Sequence, residues 1–131
     1  MRVLIVDDDP NCRQIVELML AHFGWKIVTA ENGAEGLRSV SAEPADLVLM
    51  DILMPEMSGL EAVGRMKDLP GMHDVPIIAL TALAFAEERE AAIAAGYDSV
   101  ITKPFGRKQL LAGIERHFPG LTSGDPNKVP A

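Results

Sequence analysis

Short, unbroken apolar runs alternate along this chain with longer stretches in which apolar residues recur every three or four positions. Arg2-Val-Leu-Ile-Val6 is the first run, β-branched and uninterrupted, as in a strand buried on both faces. It stops at Asp7-Asp8-Asp9-Pro10. Aspartate suits the position before a helix and proline its first residue. Asp9 is therefore expected to cap a helix that carries Ile15, Leu18, Met19 and His22 and closes at Gly24. Trp25 to Thr29 reads as a second strand, Asn32 as the cap of a helix through about Val40, and Leu47-Val-Leu-Met50 as a third strand ending on Asp51.

The same rhythm continues. After a loop from Asp51 to Met57, Ser58-Gly-Leu-Glu61 has the spacing of a capping box and starts a helix to about Leu69, closed by Pro70-Gly71. Pro76 to Leu80 is a fourth strand with Thr81 at its end, Phe85 to Ala95 a fourth helix with Gly96 at C′, and Val100 to Thr102 a short fifth strand. Lys103-Pro-Phe105 leads into a last helix with Leu110, Leu111, Ile114 and Phe118 on one face, stopped by Pro119-Gly120. Five strands alternating with five helices predict an α/β fold, a doubly wound parallel sheet with helices on both faces and right-handed crossovers. Gly120 to Ala131 lacks apolar periodicity and is expected to be a flexible tail beyond a domain of residues 1–119.

A length of 131 residues is that of one domain. With 48% hydrophobic and 24% charged residues, disorder and coiled coil are excluded as descriptions of the whole chain. There are 12 Lys and Arg against 19 Asp and Glu, and the resulting net charge of −7 opposes binding to a phosphate backbone. The apolar runs fall far short of the roughly 18 residues that span a bilayer. Met1-Arg2 opens no secretory leader, so a cytoplasmic protein is expected. Cys12, the single cysteine, falls in the first helical pattern as a small buried thiol without a chemical role, and His22, His73 and His117 share no ligand spacing.

Polar residues gather at the strand ends. Asp7 and Asp8 follow the first strand, Asp51 ends the third, Thr81 ends the fourth and Lys103 follows the fifth. Ligands of open α/β sheets bind at this carboxyl edge, where the strand order reverses. If the first and third strands are neighbours, three carboxylates crowd together and raise one another's pKa unless a cation offsets them. Their oxygens are hard ligands, suited to Mg²⁺ or Mn²⁺ rather than zinc. Thr81 can donate a hydrogen bond and Lys103 a charge to phosphoryl oxygens, while Asp51 offers a nucleophilic carboxylate. Together these groups suit an acyl phosphate.

Four segments, Val6-Asp7-Asp8, Met50-Asp-Ile-Leu-Met-Pro-Glu-Met-Ser-Gly59, Ala79-Leu-Thr-Ala82 and Thr102-Lys-Pro-Phe105, each fall at a predicted strand end. In that order they resemble the receiver domain of bacterial two-component response regulators, over roughly residues 1 to 118. The resemblance implies a flavodoxin-like sheet of strand order 2-1-3-4-5. It implies that Asp51 accepts a phosphoryl group from a histidine kinase or phosphotransfer protein, and that Asp7, Asp8, Asp51 and the backbone carbonyl of Leu53 hold Mg²⁺. Thr81 and Lys103 would contact the phosphoryl group, Thr81 as the switch hydroxyl, and the peptide bond before Pro104 would be cis.

One position departs from the family's pattern. Three residues before the lysine, where the family often carries Tyr or Phe, this chain has Val100, with Tyr97 and Phe105 at other positions. Valine is short and stiff at χ1, so activation is expected to be read through the loop from Thr81 to Phe85 and the start of the fourth helix. Output is expected through protein contacts by a monomer or weak dimer, with no nucleic-acid contact because of the charge and no membrane contact because of the short apolar runs. Thirteen residues follow Phe118, too few for a further domain, so the chain is expected to signal through a downstream protein unless it is a piece of a longer regulator or hybrid kinase. An enzymatic alternative is a phosphatase working through aspartyl phosphate. It expects Asp-x-Asp-x-Thr or Val after the first strand, and Asp7-Asp8-Asp9-Pro10-Asn11 breaks that pattern. A phosphoacceptor rather than a turnover enzyme is expected, and the intact acidic, Thr and Lys set argues against a scaffold that takes no phosphate.

Overall fold

Each apolar run forms a strand because its side chains have a core on both sides to enter. A computed structural model describes residues 1–82 and 85–122 of the chain. Its elements are β1 (Arg2–Val6), α1 (Pro10–Leu20), β2 (Lys26–Ala30), α2 (Gly33–Ala42), β3 (Leu47–Met50), α3 (Gly59–Lys67), β4 (Ile77–Thr81), α4 (Ala86–Ala95), β5 (Ser99–Thr102) and α5 (Arg107–Glu115). The strands form one five-stranded sheet of order β2-β1-β3-β4-β5, and every neighbouring pair is parallel. This is the doubly wound, flavodoxin-like topology, and its order reverses between β1 and β3.

Alternation along the central strands divides the core in two. Leu4, Val6, Val48, Met50, Ile77 and Ala79 face Val40 of α2, Ala62, Val63 and Met66 of α3, and Ala92 of α4. Val3, Ile5, Leu47, Leu49, Ile78 and Leu80 face Val16 and Leu20 of α1 and Leu110, Leu111 and Ile114 of α5. Each Val, Leu, Ile or Met among them contributes roughly 1.5–3 kcal/mol by leaving water, which is why the central strands tolerate no polar interruption.

Helix α1 turns a different stripe inward from the one expected. Val16 and Leu20 are buried, with Cys12, Met19 and Phe23 partly so, whereas Ile15 is 50% and Leu18 68% exposed. Two apolar stripes run side by side on this helix. The inner one is chosen by its lower end, where a 3-10 turn (Ala21–Phe23) brings Phe23 into stacking contact with Trp25 at 4.5 Å between ring centres. His22 stays exposed. Trp25 is thereby held outside the sheet, and β2 begins at Lys26, opposite Arg2.

Other boundaries shift by small amounts. Asp9 caps α1 by accepting the Asn11 N–H at 2.9 Å, and Asn32 caps α2 by accepting that of Glu35 at 2.8 Å. At α3, Ser58 accepts the Glu61 N–H at 3.3 Å, while the Glu61 carboxylate pairs with Arg65 at 2.9 Å instead of visibly closing the box. Helix α5 ends at Glu115, and its carboxylate takes the backbone N–H groups of Gly120 and Thr122 at 2.7 and 3.1 Å. Leu121 packs on the core and Thr122 is buried, so ordered packing reaches three residues past 119; residues 123–131 of the expected tail lie outside the described residues. Among the described residues, no helix is long and apolar enough to cross a membrane.

Candidate functional site

Sheet register places the polar residues side by side. Val6 pairs with Met50 and Met50 with Ala79, so Asp7 and Asp51 emerge together from β1 and β3. Thr81 pairs with Thr102, which puts Lys103 at the neighbouring edge position. The Asp51 N–H donates to the Val6 carbonyl at 3.0 Å, and the Lys103 N–H to the Thr81 carbonyl at 2.7 Å. The ladder continues one residue past each strand and fixes the backbone from which the site projects.

Asp7 is 2% exposed, Asp51 8% and Thr81 0%, whereas Asp8 is open to solvent. One carboxylate oxygen from each of Asp7, Asp8 and Asp51 lies within 4.8 Å of the other two. The Lys103 ammonium donates to Asp7 Oδ2 at 2.8 Å and to Asp51 Oδ2 at 3.1 Å. The remaining oxygens are also engaged, Asp7 Oδ1 by the Asp9 N–H at 2.9 Å and Asp51 Oδ1 by the Leu53 N–H at 3.3 Å. The Lys103–Pro104 bond is cis.

These contacts split the two buried acids. Burial pushes the Asp51 carboxyl up, Lys103 pulls it down and the charge of Asp7 pushes it up again, leaving it above the ordinary carboxylate range. Burial also pushes Asp7 up, but the hydrogen bonds from Lys103 and the Asp9 N–H outweigh it and hold Asp7 below that range. Burial works against the Lys103 ammonium, yet hydrogen bonds to Asp7 and Asp51 raise its pKa above that of a free lysine. Cys12 is pushed up to about 11 by burial and then by Asp7, so it stays a thiol at neutral pH. Three carboxylates facing one ammonium leave a net negative, oxygen-only donor set, which fits a hard divalent cation.

Two residues of the site were not legible as such. Arg13 donates from Nη1 to the Asp7 carbonyl at 2.7 Å, and Tyr97 donates its hydroxyl to the Asp51 carbonyl at 3.2 Å. Both reach main-chain atoms from another element, a relationship that leaves no local spacing pattern. Val100 is half-buried and packs against the α2, α3 and α4 side of the core.

The family model for the response regulator receiver domain matches residues 3–115, which include Asp7, Asp8, Asp51, Thr81 and Lys103. The chain belongs to that family. As a receiver domain it is a phosphoacceptor module of two-component signalling, and the expected fold and family both hold. The receiver is similar to the transcriptional regulatory protein KdpE of Mycobacterium tuberculosis, 34% identical over 86% of this chain, and spans 48% of that regulator's length. Among solved structures, it superposes on the chemotaxis response regulator CheY4 of Vibrio cholerae with a TM-score of 0.84 and 31% identity, covering 88% of this chain and 97% of that one. The receiver domain of the sensor histidine kinase PA1611 from Pseudomonas aeruginosa matches with a TM-score of 0.81 and 32% identity, over 88% of this chain and 94% of its own, and carries a magnesium ion in its active-site cleft.

Proposed function

We propose that Asp51 is the residue that takes the phosphoryl group. The observation that carries this is its carboxylate, at the β1/β3 switch point, within 4.8 Å of Asp7 and Asp8 oxygens and 3.1 Å from Lys103. A carboxylate oxygen of Asp51 attacks phosphorus, the bond from phosphorus to the donor's imidazole nitrogen breaks, and an acyl phosphate remains. The freed imidazole nitrogen keeps the electron pair. Lys103 then leaves Asp51 Oδ2 for a phosphoryl oxygen, and the Thr81 hydroxyl turns to another, which makes Thr81 the reporter.

Asp7, Asp8, Asp51 and the Leu53 carbonyl would hold Mg²⁺, with Mn²⁺ as a substitute. Bound there, the cation supplies charge neutralisation between carboxylates and phosphoryl oxygens. Arg13 and the Asp9 N–H hold Asp7 in place for this task.

The donor is a histidine kinase or phosphotransfer protein, and the output a downstream protein that reads the changed surface. We place the domain at residues 1–119, extended through the packed residues Leu121 and Thr122, in the cytoplasm, as a monomer or weak dimer that contacts neither membrane nor nucleic acid itself, in line with its charge of −7. It takes and loses a phosphoryl group but turns over no separate substrate. Labelling by acetyl phosphate, with and without EDTA, in wild type and Asp51→Asn tests this reading. Label that needs both the metal and Asp51 supports it.

A further inference from the structure

The Tyr97 hydroxyl is buried and donates to the main-chain carbonyl of Asp51 at 3.2 Å. The adjoining peptide is pinned too, because the Gly59 N–H donates to the Ile52 carbonyl at 2.8 Å. The packing at this point leaves no spare room. A Cβ on Gly59 would land on the Tyr97 hydroxyl and the Asp51 carbonyl and would lie 2.8 Å from Ile52 Cα. On its other side, the Tyr97 N–H donates to the Ala92 carbonyl of α4 at 3.1 Å. The end of β3, the start of α3 and the last turn of α4 therefore meet at one tyrosine, the first two at its phenol and the third at its backbone N–H.

We propose that Tyr97 is a positioning residue for phosphoryl acceptance, acting through the Asp51 backbone. The inference rests on the reading of Asp51 as acceptor. By holding the Asp51 carbonyl, the hydroxyl fixes the peptide that follows, and with it the direction of the Asp51 side chain and the path of the chain to Leu53. A shift of Asp51 toward a phosphoryl group would in turn pull on Tyr97 and on the α4 turn bonded to it. This gives the chain a link from acceptor to α4 that does not need an aromatic ring at Val100. The phenol keeps its proton at any pH used, because burial and then the Asp51 charge raise its pKa well above that of a free tyrosine.

Tyr97→Phe deletes the hydroxyl and keeps the ring, and Tyr97→Met fills the space without a ring should the first variant not fold. Each is compared with wild type and with Leu20→Ala, which weakens the core on the other side of the sheet. The Mg²⁺ dissociation constant by calorimetry and the labelling rate with acetyl phosphate are measured below each variant's melting temperature. Outer-shell partners of metal ligands typically carry 10–100-fold in affinity, and the low end, about tenfold, is expected for both readouts in the Tyr97 variants. Leu20→Ala should keep wild-type values despite its lower melting temperature. Tyr97 variants that melt lower but bind Mg²⁺ and label like wild type would overturn the positioning role while leaving Asp51 as acceptor. Wild type that binds no Mg²⁺ would overturn the site reading and this inference together.

Discussion

Lys103 donates its backbone N–H to the Thr81 carbonyl over 2.7 Å, so the two residues assigned to phosphoryl oxygens are joined through the main chain of β4 and β5. Their side chains have different parts in the proposed reaction, and that difference separates the effects of their substitution.

Lys103→Ala removes the ammonium from two buried carboxylates. A lysine at a strand end would be expected to matter little to stability. The ion pairs reverse that expectation, because a buried charge left without its partner is costly. In EDTA the variant should lose roughly 1–3 kcal/mol by denaturant melts, less than the about 3–5 kcal/mol of a fully buried pair because the Lys103 side chain is 23% exposed, and part of the loss should return with Mg²⁺. Labelling should fall by about 10²-fold, the scale for removing one charge-stabilising donor. A variant that melts and labels like wild type would refute both roles.

Thr81→Ala should still label at Asp51, since the hydroxyl does not attack phosphorus. What should weaken is the response. Amide shifts on adding beryllofluoride, a phosphoryl mimic, should shrink along the Thr81 to Glu88 segment relative to wild type. Undiminished shifts there would remove Thr81 as reporter.

Val100 leads to a related expectation. Because its side chain cannot swing a ring between buried and exposed positions, the largest beryllofluoride-induced changes should lie at Ala82 and Phe85 to Glu88, with β5 responding less. A few kcal/mol of differential stabilisation suffices to shift such a two-state element. Dominant changes at Val100 and along α5, with a quiet α4, would contradict this route.

Protonation of the two buried acids should pull stability in opposite directions. Asp51 is held above the ordinary range, so the fold binds its proton more tightly than the unfolded chain does, and the associated stability is lost as pH rises through the folded value. Asp51→Asn should therefore raise the melting temperature at pH 7 in EDTA. The gain should fade in acid. Asp7 is held below 3.8, so its contribution is present above that value and lost as pH falls through the folded one. Asp7→Asn should lower the melting temperature at pH 7. Thermal melts from pH 3 to 8 compare the two.

Local pattern made much of this legible. Uninterrupted apolar runs mark strands covered on both faces, and the residues that break them, Asp7, Asp51, Thr81 and Lys103, are those that the sheet edge collects. The strand order came with the family resemblance, not from the runs themselves. Adjacent apolar stripes hid the inward face of α1, since Ile15 and Leu18 have the same spacing logic as Val16 and Leu20. Tyr97 stayed hidden for a different reason. Its partner is a carbonyl 46 positions away, and only the folded chain brings the two within reach.

The central claim is that Asp51 takes a phosphoryl group with the help of a cation held by its acidic neighbours. Intact-mass spectrometry of wild type, Asp51→Asn and Asp8→Asn after acetyl phosphate and Mg²⁺ tests it most directly. One phosphoryl group on wild type, none on Asp51→Asn, slowed addition to Asp8→Asn and none on wild type in EDTA is the predicted result. Equal labelling of wild type and Asp51→Asn, or labelling indifferent to EDTA, would contradict it.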